Sequence, residues 1–240
     1  MPRKYWYIIL IYIGMQFSSI ITVPLLDIIK IDQTTLVASW SVFSFAVALI
    51  IILYLLRGEM NHALNEDRIE GAAIGSIVTW SIIGVVMAFV AQSIAVTLET
   101  YVFGIKPGSE NTMNIMNIAR AVPIFIIVVT IIAPILEEII FRKIIFGSIY
   151  KRTNLIIGAL GSAFIFALVH NDFAHILTYT AMGLVFAYLY VKTKRIIVPI
   201  ITHMAMNSIT VLAQYNTDPE EMEKMLDKVN QLQQMIFFGG

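Results

Sequence analysis

Residues 133–143 read A-P-I-L-E-E-I-I-F-R-K, two adjacent carboxylates and a guanidinium set in an otherwise apolar stretch. An ionised group at mid-bilayer costs roughly 2.5–3.5 kcal/mol on insertion scales, so such residues face a bundle interior, find partners and serve a function. Glu138 and Arg142 are four apart, share a helical face and are expected to pair as a structural ion pair. Glu137 points about 100° away from Glu138 on a helix of 3.6 residues per turn. It has no partner on its own helix, and that carboxylate is the first sign of chemistry.

The surrounding chain is built for lipid. Of its 240 residues 58% are hydrophobic and 13% charged, with a mean hydropathy of +0.82. Soluble domains carry about 25% charged residues, so this is a polytopic, all-α membrane protein. Sixteen basic and sixteen acidic residues balance, leaving no argument for nucleic acid. With no cysteine, disulfides, thiolate metal sites and a cysteine nucleophile are excluded. The basic start M-P-R-K-Y-W leads into an apolar run without an A-x-A-like cleavage site, and is read as a retained first span.

Seven segments approach the 20 or so apolar residues a span needs: 5–26, 35–56, 72–98, 119–149, 155–171, 175–192 and 196–214, with an eighth as the alternative count. The fourth is longer than a bilayer requires and holds Pro123 and Pro134, so it is expected to be kinked, tilted or broken. Proline there obliges neighbours to satisfy the freed carbonyls. R-G-E-M-N-H (57–62) and K-T-K-R (192–195) read as hydrophilic breaks, and His62 carries no role. In the loop from Glu99 to Ile118, Pro107-Gly108 reads as a turn and Ser-Glu-Asn-Thr (109–112) as the cap of a helix beginning near Met113.

A cytoplasmic N-terminus puts eleven basic residues inside and five outside, the orientation favoured by the positive-inside rule. Residues 1–214 form one membrane domain, and 215–240 a tail of another kind. Asp218-Pro219 reads as a helix start. Met222, Met225, Val229, Leu232 and Ile236 then form an apolar seam of about two heptads, too short to stand alone. Packing on the membrane or bundle is the plainer reading; self- or partner association through 219–236 is the other.

Two more pairs at helical spacing bring polar residues into apolar segments. Phe166 and His170 sit four apart in F-I-F-A-L-V-H-N, and His203 and Asn207 four apart in I-T-H-M-A-M-N-S. Counted from the helix ends at about 1.5 Å per residue, Glu137 and His170 lie roughly 20–25 Å up, Asn207 roughly 20 Å and His203 somewhat lower. One carboxylate, two imidazoles and a carboxamide thus reach a similar depth from three helices. A carboxylate beside a histidine can hold and deprotonate a water, and an imidazole and an amide can donate to an oxyanion. Glu137, His170 and His203 could equally be zinc ligands, or members of a proton relay in a transporter. Taken singly, His203 and Asn207 read as interhelical hydrogen-bonding residues. His175, at the start of the sixth segment, reads as interfacial.

The ordered set E-E-x-x-x-R, F-x-x-x-H and H-x-x-x-N resembles the CPBP (Abi) family of CAAX-prenyl-protease-type-II and bacteriocin-processing intramembrane glutamic proteases. The match covers about residues 120–210, and the loop G-I-K-P-G-S-E-N-T (104–112) looks like that of bacterial members. The resemblance implies a metal-independent endopeptidase without cofactor, in a bacterial cell membrane. Glu137 would be the general base, assisted by His170, with His203 and Asn207 at the oxyanion. Glu138 and Arg142 would support the site, and Phe166 would shape the pocket. The implied substrate is a small peptide or a membrane-proximal protein segment, such as a peptide pheromone or bacteriocin precursor. Against this stand a non-catalytic immunity or regulatory role, which some family members fill, and zinc held at Glu137, His170 and His203. Family members often have eight spans where seven are counted here.

Overall fold

A computed structural model describes residues 1–22, 24, 31–70 and 74–215, with 60–70 described as backbone only. The tail seam at 219–236 lies outside the described residues. Among those described, all regular structure is helical, as the composition demands. The helices are α1 (Arg3–Phe17), α2 (Gln33–Glu70), α3 (Ile74–Phe103), α4 (Glu110–Ala121), α5 (125–150), α6 (Leu155–Val169), α7 (Ile176–Thr193) and α8 (Ile197–Tyr215).

Four of these are long and apolar enough to cross a membrane alone: Gln33–Glu59, Ile74–Phe103, Ile176–Thr193 and Ile197–Tyr215. At 15 residues each, α1 and α6 extend about 22 Å, short of a straight crossing of about 30 Å. The α1 helix passes into a 3₁₀ turn at Ser18–Ile21, and the expected end of the first span at residue 26 lies outside the described residues. The hydrophilic break read at 57–62 ends the apolar span, at Glu59, but not the helix, since α2 continues as a polar helix to Glu70. Residues 119–149 are indeed broken: α4 ends at Ala121, and α5 starts after Val122–Ile124.

Both faces of α3 are apolar, so size rather than polarity marks the buried one. Ser81, Gly84, Ala88 and Ala95 face the bundle, while Ile82, Val86, Val90 and Ile94 face outward. Small residues let helix backbones approach closely in a membrane. A Cβ on Gly84 would lie 2.6 Å from Leu189 and Thr202 side-chain atoms, and one on Gly183 would lie 2.9 Å from the Ala163 backbone. The α3–α7–α8 and α6–α7 contacts are therefore set by glycine. Around them Phe141, Phe166, Phe186, Leu136, Ile140 and Leu189 close the core.

The α5 helix is irregular where it matters. Two π segments, Val128–Ile132 and Ile139–Phe146, flank the α-helical stretch Ala133–Glu138 that carries both glutamates. Such π turns inside helices frequently mark functional sites. At its lower end Glu59 accepts from Tyr5 Oη (2.9 Å) and pairs with Lys4 and with Lys143 (3.1 Å), joining α1, α2 and α5.

Candidate active site

Pro134 explains how α8 is seated on α5. In the π segment Ala133 N–H donates to the carbonyl five residues back, on Val128. The next bond in that register would run from residue 134 to Val129, and proline has no N–H to give. Asn207 Nδ2 donates to the Val129 carbonyl instead, at 2.9 Å. The carboxamide thus meets the demand the proline creates, and the same side chain borders the cavity next to Glu137.

That cavity, about 300 Å³ in volume, is bordered by Glu137, His170, His203, Asn207 and Phe166. The four side chains named as a constellation from the sequence are brought together on it. Apolar walls come from Phe45, Met116, Phe125, Val128, Phe186 and Met206, and polar ones from Gln16, Asn111, Thr112 and Thr210. Glu137 keeps 14% of its side chain exposed, and its Oε2 lies 3.7 Å from His203 Nε2.

Glu138 and Arg142 are fully buried behind the cavity wall. Arg142 Nε donates to Glu138 Oε2 at 3.0 Å, the i, i+4 pair expected from the spacing. The other carboxylate oxygen accepts from His203 Nδ1 at 2.9 Å. Glu138 therefore holds the histidine as well as the arginine, a second task that the linear sequence did not reveal. The guanidinium also reaches Ser162 Oγ (3.4 Å), which donates to the Phe141 carbonyl. It lies over the rings of Phe166 at 4.8 Å and Phe186 at 5.6 Å. Desolvated cation–π contacts of this kind contribute about 2 kcal/mol. Phe186 in turn stacks on His203, with ring centres 4.7 Å apart and planes 23° apart.

His170 closes the C-terminal end of α6. A carbonyl can only accept, so the 2.7 Å contact between its Nδ1 and the Phe166 carbonyl fixes Nδ1 as protonated. In the neutral ring Nε2 is then an acceptor. Asn171 follows with φ +52°, a left-handed conformation asparagine tolerates, and turns the chain away from the helix.

His175 departs from the interfacial reading, being buried against Glu99. Its Nδ1 lies 3.0 Å from Glu99 Oε2 and its Nε2 2.9 Å from the Gly108 carbonyl. Glu99 also accepts from Thr178 N (2.9 Å) and Oγ1 (2.7 Å). Glu99 follows Ala95 by one turn on the small-residue face of α3, and that register is the sequence signal for its burial. The expected cap falls on Ser109, whose Oγ accepts from Thr112 N at 3.1 Å, so α4 begins at Glu110, three residues before Met113.

Among the described residues, no group of three His, Asp or Glu side chains is arranged to hold a metal ion. His203 directs Nδ1 to Glu138 and His170 directs Nδ1 to the backbone, which leaves Nε2 on each ring.

Comparison with known proteins identifies the family. Residues 119–209 match the family described as type II CAAX prenyl endopeptidase, Rce1-like. The putative membrane peptidase YdiL of Bacillus subtilis is 44% identical over 247 residues, spanning 100% of this chain and 99% of the relative. The membrane-embedded CAAX protease MroQ of Staphylococcus aureus is 34% identical, over 92% of this chain and 93% of its own length. No solved structure matches the chain. Helices that can cross a bilayer, a cavity bordered by buried polar side chains and likeness to membrane peptidases along the whole chain converge: the chain is a multi-pass membrane peptidase belonging to the Rce1-like type II CAAX prenyl endopeptidase family.

Proposed function

We propose that the protein is an intramembrane endopeptidase that hydrolyses a peptide bond with a water activated by Glu137, without a metal or a covalent intermediate. One observation carries this reading: Glu137 opens onto the cavity that His170, His203 and Asn207 also border. Glu138, one residue away, is wholly consumed by Arg142 and His203. Of the two adjacent carboxylates, only Glu137 is placed to meet a substrate.

Glu137 takes a proton from a cavity water as the water oxygen attacks the carbonyl carbon. His170, with Nδ1 donating to Phe166, has Nε2 as a second acceptor for that water. The carbonyl oxygen gains the negative charge. His203 Nε2 and the second N–H of Asn207 are its donors, the first N–H being spent on Val129. Nδ1 of His203 already donates to Glu138, so an Nε2 donor requires the ring to carry both protons. Collapse of the tetrahedral intermediate breaks the C–N bond, and the proton held by Glu137 passes to the leaving amine.

The substrate is a small peptide or a membrane-proximal segment of a membrane protein, with apolar side chains beside the scissile bond. Phe45, Met116, Phe125 and Met206 provide matching walls. The N-terminus faces the cytoplasm in this reading.

The test is Glu137→Ala in purified, bilayer-reconstituted protein, with cleavage of a fluorogenic apolar peptide as the readout. General-base catalysis contributes about 10²–10⁴-fold, so the rate falls at least that far while the thermal transition is retained. Wild-type cleavage by this variant would assign the chemistry elsewhere.

A further inference from the structure

Outside the groups that the mechanism uses, the richest polar cluster joins the start of α4 to the loop 170–175. Ser109 Oγ donates to Asp172 Oδ2 at 2.6 Å. A hydroxyl has one proton, so the 3.1 Å contact between Ser109 Oγ and Tyr179 Oη must have the tyrosine as donor. Tyr179 Oη then accepts from Asn111 Nδ2 at 3.2 Å. The protons all run one way, from Asn111 to Tyr179 to Ser109 to Asp172. At the other end of the same side chain, the Tyr179 ring lies flat on His170, with ring centres 4.1 Å apart and planes 27° apart.

Resting on the hydrolase reading above, we propose that Tyr179 is a positioning residue of the active site: anchored through its hydroxyl by Ser109 and Asn111, it holds the His170 ring in the orientation that keeps Nδ1 on Phe166 and Nε2 free. His170 needs such a hold. It ends α6 and is followed directly by the left-handed Asn171, so regular helix constrains it from one side only. Phe166 meets it in a T-shaped contact, with ring centres 4.5 Å apart, and Tyr179 covers a ring face. The Glu99–His175–Gly108 contacts tie down the two loops that carry Ser109 and Asp172. The tyrosine does not touch the reacting atoms in this scheme; it acts through His170.

The experiment reads the His170 tautomer directly, by nitrogen-15 NMR of histidine-labelled protein in micelles, assigned with His170→Gln. Wild type shows Nδ1 protonated and Nε2 bare. Tyr179→Leu, which removes stack and hydroxyl, shows interconverting tautomers and loses about tenfold or more in kcat, with KM within about threefold. Tyr179→Phe keeps the stack and the volume, loses the anchor, and falls between the two. Should the leucine variant fail to fold, the phenylalanine variant carries the test alone. A wild-type tautomer in every folded variant overturns the proposal, whatever the cleavage rate. Because the NMR readout needs no turnover, loss of the Glu137 assignment would leave this result standing, and the two failures are distinguishable.

Discussion

His203 is suspended between two carboxylates of unequal kind: Nδ1 lies 2.9 Å from the buried Glu138, and Nε2 lies 3.7 Å from the cavity-facing Glu137. Adjacent residues in the sequence therefore have opposite environments. Glu138 orients the ring and balances Arg142, while Glu137 keeps an open side. The i, i+4 spacing to Arg142 picks out which glutamate is which, since only one of the two can share the arginine's face.

Substitution at Glu138 separates those tasks. Glu138→Gln keeps the shape but removes the charge that compensates the fully buried Arg142. Breaking a buried pair from one side costs about 3–5 kcal/mol. Both the melting temperature and the cleavage rate fall in this variant, whereas Glu137→Ala lowers the rate alone. Thermal unfolding measured beside kinetics resolves the two. Equal melting temperatures for Glu138→Gln and wild type would mean that the pair is not the anchor described.

The Asn207 side chain has a backbone task that can be returned to the backbone. Asn207→Ala orphans the Val129 carbonyl, at a cost of about 1–3 kcal/mol. Pro134→Ala restores an N–H in the π register that leads to that same carbonyl. In the Asn207→Ala background it recovers stability but not activity, because the oxyanion donor is still missing. The double-mutant cycle measures the coupling. Additive stabilities would show that Pro134 does not create the demand that Asn207 meets.

Much of this site was legible because lipid makes polarity conspicuous. Glu137, His170, His203 and Asn207 stand out within apolar runs, and counting along their helices puts them at a similar depth. Pro123 announced the break between α4 and α5, and Pro134 a need for outside help, which Asn207 supplies. The clasp of Ser109, Asn111, Asp172, His175 and Tyr179 was not legible as a unit. Those residues lie at helix ends, where polar side chains are ordinary and hydropathy cannot tell burial from exposure. The polar continuation of α2 to Glu70 escaped for the same reason: helix outside the apolar run carries no periodic signature. Glu138's hold on His203 spans 65 positions of sequence, beyond the reach of any local pattern.

Chelation tests the metal-free chemistry. Each zinc ligand atom must come within about 2.0–2.3 Å of the ion, and among the described residues no group of three His, Asp or Glu side chains is so arranged. Cleavage by purified protein stays within about twofold of its starting rate in phenanthroline or EDTA. Loss of activity that zinc then restores would reassign Glu137, His170 and His203 as ligands.

The close contact of α6 with α7 links packing to the site. Gly183 faces Ala163 so tightly that a Cβ would lie 2.9 Å from the Ala163 Cα and Cβ. Backbone cannot rotate out of the way as a side-chain tip can. Gly183→Ala forces the helices apart and costs about 1–3 kcal/mol, the usual penalty for overpacking. Because α6 carries Phe166 and His170 while α7 carries Tyr179 and Phe186, the separation also loosens the ring stack over His170 and the aromatic bed of Arg142. Gly183→Ala thus lowers both melting temperature and kcat. At Gly161, by contrast, a Cβ would meet only the tip of the Ile149 side chain, at 3.3 Å. Gly161→Ala consequently stays close to wild type in both measurements. A Gly183 variant as stable and active as the Gly161 variant would show that the interface has slack that the geometry denies it.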